Sequence, residues 1–188
     1  FDSWAINSAN IIQCPVGSVY FTNQAQIDNF PTLYPGCTTI SDSVTIDEQV
    51  PGYITNLNGL SQITEIEGSL TIGLINNGNY ALTSLDGLSG LTSIGEDLVI
   101  SSNNSLSNLV GLSSLTSVGG DLFISNNDAL TNLSGLSGLS SLVGSLGIWD
   151  NYALTTLHGL DVLASVGGDL FISNNDDLTN LSGLNGVT

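Results

Sequence analysis

The sequence predicts an all-β fold: a right-handed, leucine-rich β-solenoid of about six coils, each about 24 residues long, behind a small N-terminal cap. Three observations predict it. The triplet Leu98-Val99-Ile100 recurs as Leu122-Phe123-Ile124, Leu146-Gly147-Ile148 and Leu170-Phe171-Ile172, each 24 residues after the last. A fixed period of this size marks a stacked repeat. Within a coil the apolar positions are strict, as in Leu122, Ile124, Leu130, Leu133, Leu136, Leu139 and Leu142. Gly, Ser, Asn and Thr fill the remainder, a composition that disfavours α-helix.

Taken in order, residues 1–43 differ in composition and read as an N-terminal segment and cap, and residues 44–188 as the repeats, the last incomplete. In the cap, Thr22 to Phe30 reads as one short helix with Thr22 as its N-cap, stopped before Pro31. Two looser copies, Val44-Thr45-Ile46 and Leu70-Thr71-Ile72, open the repeats at steps of 26 and 28, with the extra residues in the following turns. Each L-x-I has period two and reads as a short strand. The leucines three apart, with glycines between them, read as extended or 3₁₀ pieces. No single coil can bury enough to stand alone, so neighbours must stack. At about 4.8 Å per strand, six coils give a rod about 30 Å long. Asn103, Asn127, Asn151 and Asn175 fall at one corner of successive coils, where stacked amides can satisfy each other and the turning backbone. The last coil has no cap, and its edge reads either as continued by further coils or as receiving another subunit head to tail, with Phe1–Ile12 as a candidate partner strand.

The pattern L-x-I-x-x-N-x-x-L-x-x-L-x-G-L-x-x-L-x-x-V-G resembles the leucine-rich solenoid of receptor L domains. It is also similar to repeat modules of secreted Bacteroidota surface proteins, in which a Cys-bounded segment like Cys14-Pro-Val-Gly to Tyr34-Pro-Gly-Cys37 precedes the first coil. The resemblance covers nearly the whole chain and implies a fold and a cell-surface setting. It brings no catalytic motif. The helical half of ordinary leucine-rich repeats is missing.

Charge excludes several functions. The 188 residues include 17 Asp and Glu, one His and no Lys or Arg, for a formal charge of −17. Phosphate neutralisation, and with it nucleic-acid binding, has no residues to use. A polybasic membrane tether is excluded likewise, and no apolar run reaches the ~20 residues that span a bilayer. Cys14 and Cys37 read as one disulfide of an oxidising compartment, two buried free thiols being the alternative. The expected role is therefore extracellular, non-enzymatic and structural or adhesive: a module of a cell-surface adhesin, or a fibre that stacks end to end.

Candidate sites cluster in the fifth coil. Gly147 stands where neighbouring coils carry Phe123 and Phe171, and Trp149, Tyr152 and His158 replace small or acidic residues. A notch between two rings with Trp149 at its lip suits a glycan or protein partner. The alternative is that Trp149 folds over the notch. Asp97, Asp121 and Asp169 share a column beside Gly-Gly pairs and are weak calcium candidates, the only cofactor expected, without an EF-hand-like pattern. A carboxylate-dependent glycan hydrolase is the residual enzymatic reading of that column. Ranked Thr and Ser at 55, 83, 107, 131, 155 and 179 invite an ice-binding reading, which the mixed neighbouring column opposes. Asn132 and Asn180 are outward N-glycosylation sequons, Asn103 an internal one, and Ser43 follows Asp42 in a short O-glycosylation-like pattern.

Overall fold

The computed structural model describes residues 14–49, 54–74 and 78–188. The candidate partner strand Phe1–Ile12 lies outside the described residues. Thirteen strands occur among the described residues: β1 (Val19–Phe21), β2 (Thr39–Ile40), β3 (Val44–Ile46), β4 (Glu65–Ile66), β5 (Leu70–Ile72), β6 (Ser93–Ile94), β7 (Leu98–Ser101), β8 (Ser117–Val118), β9 (Leu122–Ser125), β10 (Ser141–Leu142), β11 (Leu146–Trp149), β12 (Ser165–Val166) and β13 (Leu170–Ser173). Odd-numbered strands form one seven-stranded parallel sheet in the order β1-β3-β5-β7-β9-β11-β13. The even-numbered strands form a four-stranded sheet, β2-β4-β6-β8, and a pair, β10-β12. Register follows the repeat, with Leu98 opposite Leu122, Leu122 opposite Leu146, and Leu146 opposite Leu170. The longer early steps keep it, since Val44 pairs with Leu70 and Leu70 with Leu98. The arrangement is solenoid-like, with repeated parallel strands stacked coil on coil.

The all-β class is corrected. The molecule is mixed α/β: besides the parallel sheets, the described residues include the α-helix α1 (Gln24–Leu33) and five 3₁₀ turns, at Asn58–Leu60, Asp86–Leu88, Val110–Leu112, Ser134–Leu136 and Ser182–Leu184. The reason is the spacing of the leucines. Leu109 and Leu112 are both fully buried, and residues three apart face one way only when the backbone turns once per three residues. An extended segment would send one of them outward. The buried set is otherwise the one the repeat specifies, with Leu98, Ile100, Leu106, Leu109, Leu112 and Leu115 all at zero exposure.

The cap is built as a coil. β1 and β2 add one strand to each main sheet, pairing with β3 and β4, and α1 occupies the place of a 3₁₀ turn. Its N-cap is Asn23, not Thr22: the Asn23 side chain accepts from the Gln26 N–H, while Thr22 donates its own N–H to Gln26 Oε1. The helix also runs through Pro31 to Leu33. A proline here removes only the N–H that would pair with the Ile27 carbonyl, and that carbonyl faces Gly59 of the first coil. Gly87, Gly111, Gly135, Gly159 and Gly183 repeat this close approach, each to the carbonyl of a Leu in the coil before. The Cys14–Cys37 disulfide, with Cα atoms 5.1 Å apart, closes the cap. Closing a loop of this size contributes about 3 kcal/mol.

Candidate functional site

The sheet built from the odd-numbered strands presents Phe123, Gly147 and Phe171 side by side on its outer face. Trp149, two residues on from Gly147, leans back across it. Its ring packs edge-on between Phe123, at 5.7 Å between centroids, and Phe171, at 6.1 Å. A Cβ on residue 147 would lie 2.7 Å from Trp149 Cζ3 and 2.8 Å from Phe123 Cδ1, so the absence of a side chain there is what lets the indole settle. The notch is thus filled by Trp149, and the three rings make one aromatic strip. Phe171 is 54 % exposed and Phe123 and Trp149 are half-buried. On one flank of the indole lies a hollow of about 490 Å³ edged by Ser145 and Asp169; on the other lies an apolar one of about 180 Å³ reaching Leu74 and Val99. Tyr152 does not join this group. It lies with Tyr80, Asn104 and Asp128 along a separate depression of about 230 Å³, where Asn104 donates to Asp128.

The acidic column serves the backbone. Asp97 Oδ1 accepts the Asp121 N–H at 2.8 Å, Asp121 Oδ1 accepts the Ser145 N–H at 2.7 Å, and Ser145 Oγ accepts the Asp169 N–H at 3.1 Å. Ser69 and Ser43 extend it upstream: Ser69 Oγ accepts from Asp97 N and Ser43 Oγ from Ser69 N. Ser145 therefore holds the column together where the repeat drops its Asp. Among the described residues no three His, Cys, Asp or Glu side chains converge as a metal site. Ser43, the O-glycosylation candidate, is half-buried and occupied by this bond.

The asparagine column is an internal ladder. Asn127 Oδ1 accepts both the N–H and the Nδ2 of Asn103, while Asn127 Nδ2 is directed at the carbonyls of Ile100 and Ser125. Asn151 repeats this for Asn127, and Asn175 for Asn151. Two members escaped the sequence reading: Asn79 stands 24 residues before Asn103 but seven residues after Ile72 instead of three, and Glu48 is not an asparagine. Asn79 donates to Asn103 Oδ1, and Glu48, fully buried, donates its N–H to Asn79 and accepts from Ile54 N. Asn103 is fully buried, which closes that sequon. Asn132 is half-buried and Asn180 exposed, and each accepts the N–H two residues on, as Asn132 Oδ1 does from Ser134. Asn56, Ser84, Asn108 and Thr156 do the same. The mixed identity of this column is explained by that task, since Asn, Ser and Thr all make such local turns. The ranked threonines donate to the preceding coil, Thr155 Oγ1 to the Thr131 carbonyl and Thr131 Oγ1 to that of Ser107.

One departure was missed. Positions 61, 89, 113 and 137 are Ser where the fifth coil has Asp161. Asp161 Oδ2 accepts the Gly159 N–H at 2.9 Å and meets His158 Nδ1 at 2.8 Å. The local turn changes accordingly: Gly159 takes φ +114°, and the His158 carbonyl swings over to accept from Leu133 N. The Gly159 N–H, with a smaller part from His158, holds the Asp161 carboxyl below its ordinary value of 3.8. Asp42 is lowered likewise by the Ser43 N–H and the Ser18 hydroxyl. A carboxyl lowered by folding adds stability above its unfolded pKa and loses it as pH falls through the folded value. Thermal melts from pH 5 to pH 2 are therefore expected to show a fall that Asp42→Asn and Asp161→Asn each reduce; unchanged slopes would contradict the assignment.

No protein-family model matches the chain, and no curated protein or solved structure matches it significantly. Among the described residues no helix is long and apolar enough to cross a membrane.

Proposed function

We propose that this chain is a non-enzymatic, extracellular structural or adhesive repeat protein whose coils stack on further coils of the same pattern. The observation that carries the reading is where its polar chemistry goes. Asp97, Asp121, Asn103, Asn127 and Asn151 each spend their side chains on the next coil's or the previous coil's backbone. Such columns serve a stack that must hold its shape. The Cys14–Cys37 disulfide supports an oxidising, extracellular setting, and the absence of any Lys or Arg removes the sites that trypsin-like proteases cut.

The outer edge of β13 supports stacking at that end. Leu109, Leu133 and Leu157 are at most 1 % exposed, but Leu181, at the same place in the last coil, is 54 % exposed. In the stacking reading, the unpaired edge of β13 and the leucine rung beside it are the surface on which one more coil of this pattern would pair. Light scattering with negative-stain electron microscopy is expected to give elongated, concentration-dependent assemblies of this chain. Leu181→Lys should return them to monomers with an unchanged circular dichroism spectrum. Monomers of the unaltered chain at every concentration would defeat end-to-end stacking.

A further inference from the structure

The fifth coil departs from the repeat twice on one strand, and the two departures fit each other. Where neighbouring coils have Phe and Ser, at 123 and 125 and at 171 and 173, this coil has Gly147 and Trp149. Either change alone works badly: a side chain at 147 would strike the indole, and Gly147 without Trp149 would leave a gap between two rings. Together they exchange a phenylalanine for a larger ring laid along the sheet, with a hollow on either flank. Gly147 also breaks the rule that strand interiors avoid glycine, which commonly marks close approach of a ligand or another group.

We infer that this aromatic strip is a binding site for a neutral, hydroxyl-rich sugar chain made of pyranose rings with equatorial substituents, such as a β-linked glucan or N-acetylglucosamine oligomer. This rests on the adhesive reading and names the partner it would grip. The charge of the protein narrows the ligand. With no Lys or Arg in the sequence and a formal charge of −17, uronates, sulfated sugars and phosphates find no counter-charge and meet repulsion. The polar edge of the larger hollow narrows it further. The Asp169 carboxylate only accepts, while the Ser145 hydroxyl, which accepts the Asp169 N–H, can also donate, so a matching ligand supplies at least one O–H or N–H donor and can offer acceptors too. Pyranoses with equatorial substituents show an apolar face of axial C–H groups that lies flat on an indole, while their hydroxyls point outward to such a rim. The hollow of about 490 Å³ has the capacity of a small-ligand site. The smaller hollow across Trp149, about 180 Å³, offers a chain room to continue along the sheet.

The test is a titration of the intact chain with cellohexaose and chitohexaose by isothermal calorimetry, with a hexagalacturonate and hexalysine as contrasts. Saturable binding of at least one neutral oligomer is expected, with none for the hexagalacturonate. Trp149→Ala should weaken it at least tenfold. The double variant Gly147→Phe with Trp149→Ser restores the residues of the neighbouring coils, so it should melt no lower than the parent yet lose binding equally. Failure of both neutral oligomers to bind would overturn the inference, as would affinity that survives in the double variant. Hexalysine binding that is tighter than that of either sugar and is lost in Trp149→Ala would reassign the strip to cationic protein segments. None of these outcomes bears on stacking, which light scattering of the Leu181→Lys variant reads separately.

Discussion

Asn127→Ala is expected to cost about 3–5 kcal/mol, among the largest losses for a single polar side chain in the stack. Asn127 is fully buried. Its removal strips the Asn103 N–H of its acceptor and the Ile100 and Ser125 carbonyls of a donor. The Asn103 N–H is then buried without its acceptor, while the Ser125 carbonyl keeps the Ser102 N–H. Asn175 likewise accepts the Asn151 N–H but donates to the Ile148 carbonyl alone, and it sits at 9 % exposure, where water reaches it. Asn175→Ala should therefore cost about half as much or less. Denaturant unfolding of both variants decides the matter, and equal losses would mean that the ladder's value does not depend on burial.

The second large effect concerns a glycine. A methyl group on residue 135 would run into the Leu109 carbonyl and its bonded carbon, backbone atoms that cannot rotate away. Gly135→Ala is expected to lose about 3 kcal/mol or more. Gly90 is the control: its nearest neighbours to an added Cβ lie at 3.5 Å and beyond, ordinary contact. Gly90→Ala should be neutral or stabilise by up to about 1 kcal/mol, because it restricts the unfolded chain at no steric cost. Comparable melting temperatures for the two variants would show that the coils are spaced more loosely than the structure has them.

Much of this architecture was legible in the sequence because a strict repeat copies each physical constraint several times. The leucine rungs and the asparagine ladder could be read from Leu98, Leu122, Leu146, Leu170 and their partners at Asn103, Asn127, Asn151 and Asn175. Where the copying loosens, legibility fails. Asn79 and Glu48 belong to the same ladder, but Asn79 follows its strand isoleucine, Ile72, by seven residues instead of three, and Glu48 is not an asparagine. The all-β class failed because three-residue 3₁₀ turns carry no propensity signal of their own, which left the leucines three apart readable as extended or 3₁₀, and the cap helix was ended too early because Pro31 reads as a stop. The acidic column looked like a cation site when only its Asp members were counted. Ser43, Ser69 and Ser145 share it, and hydroxyl and carboxylate have in common the ability to accept an N–H. At the aromatic strip the residues were legible, and their arrangement was not: only coordinates could choose between an open notch and an indole laid across Gly147.

Because every coil is fastened only to the ones immediately before and after it, a pull on the two ends loads those attachments in series. Under tension such a stack is expected to yield rung by rung, not as a whole. Each rung that lets go frees about 80 Å of slack from 24 residues, against the roughly 5 Å of axis it had occupied. A chain loaded in this way is expected to lengthen severalfold before it parts.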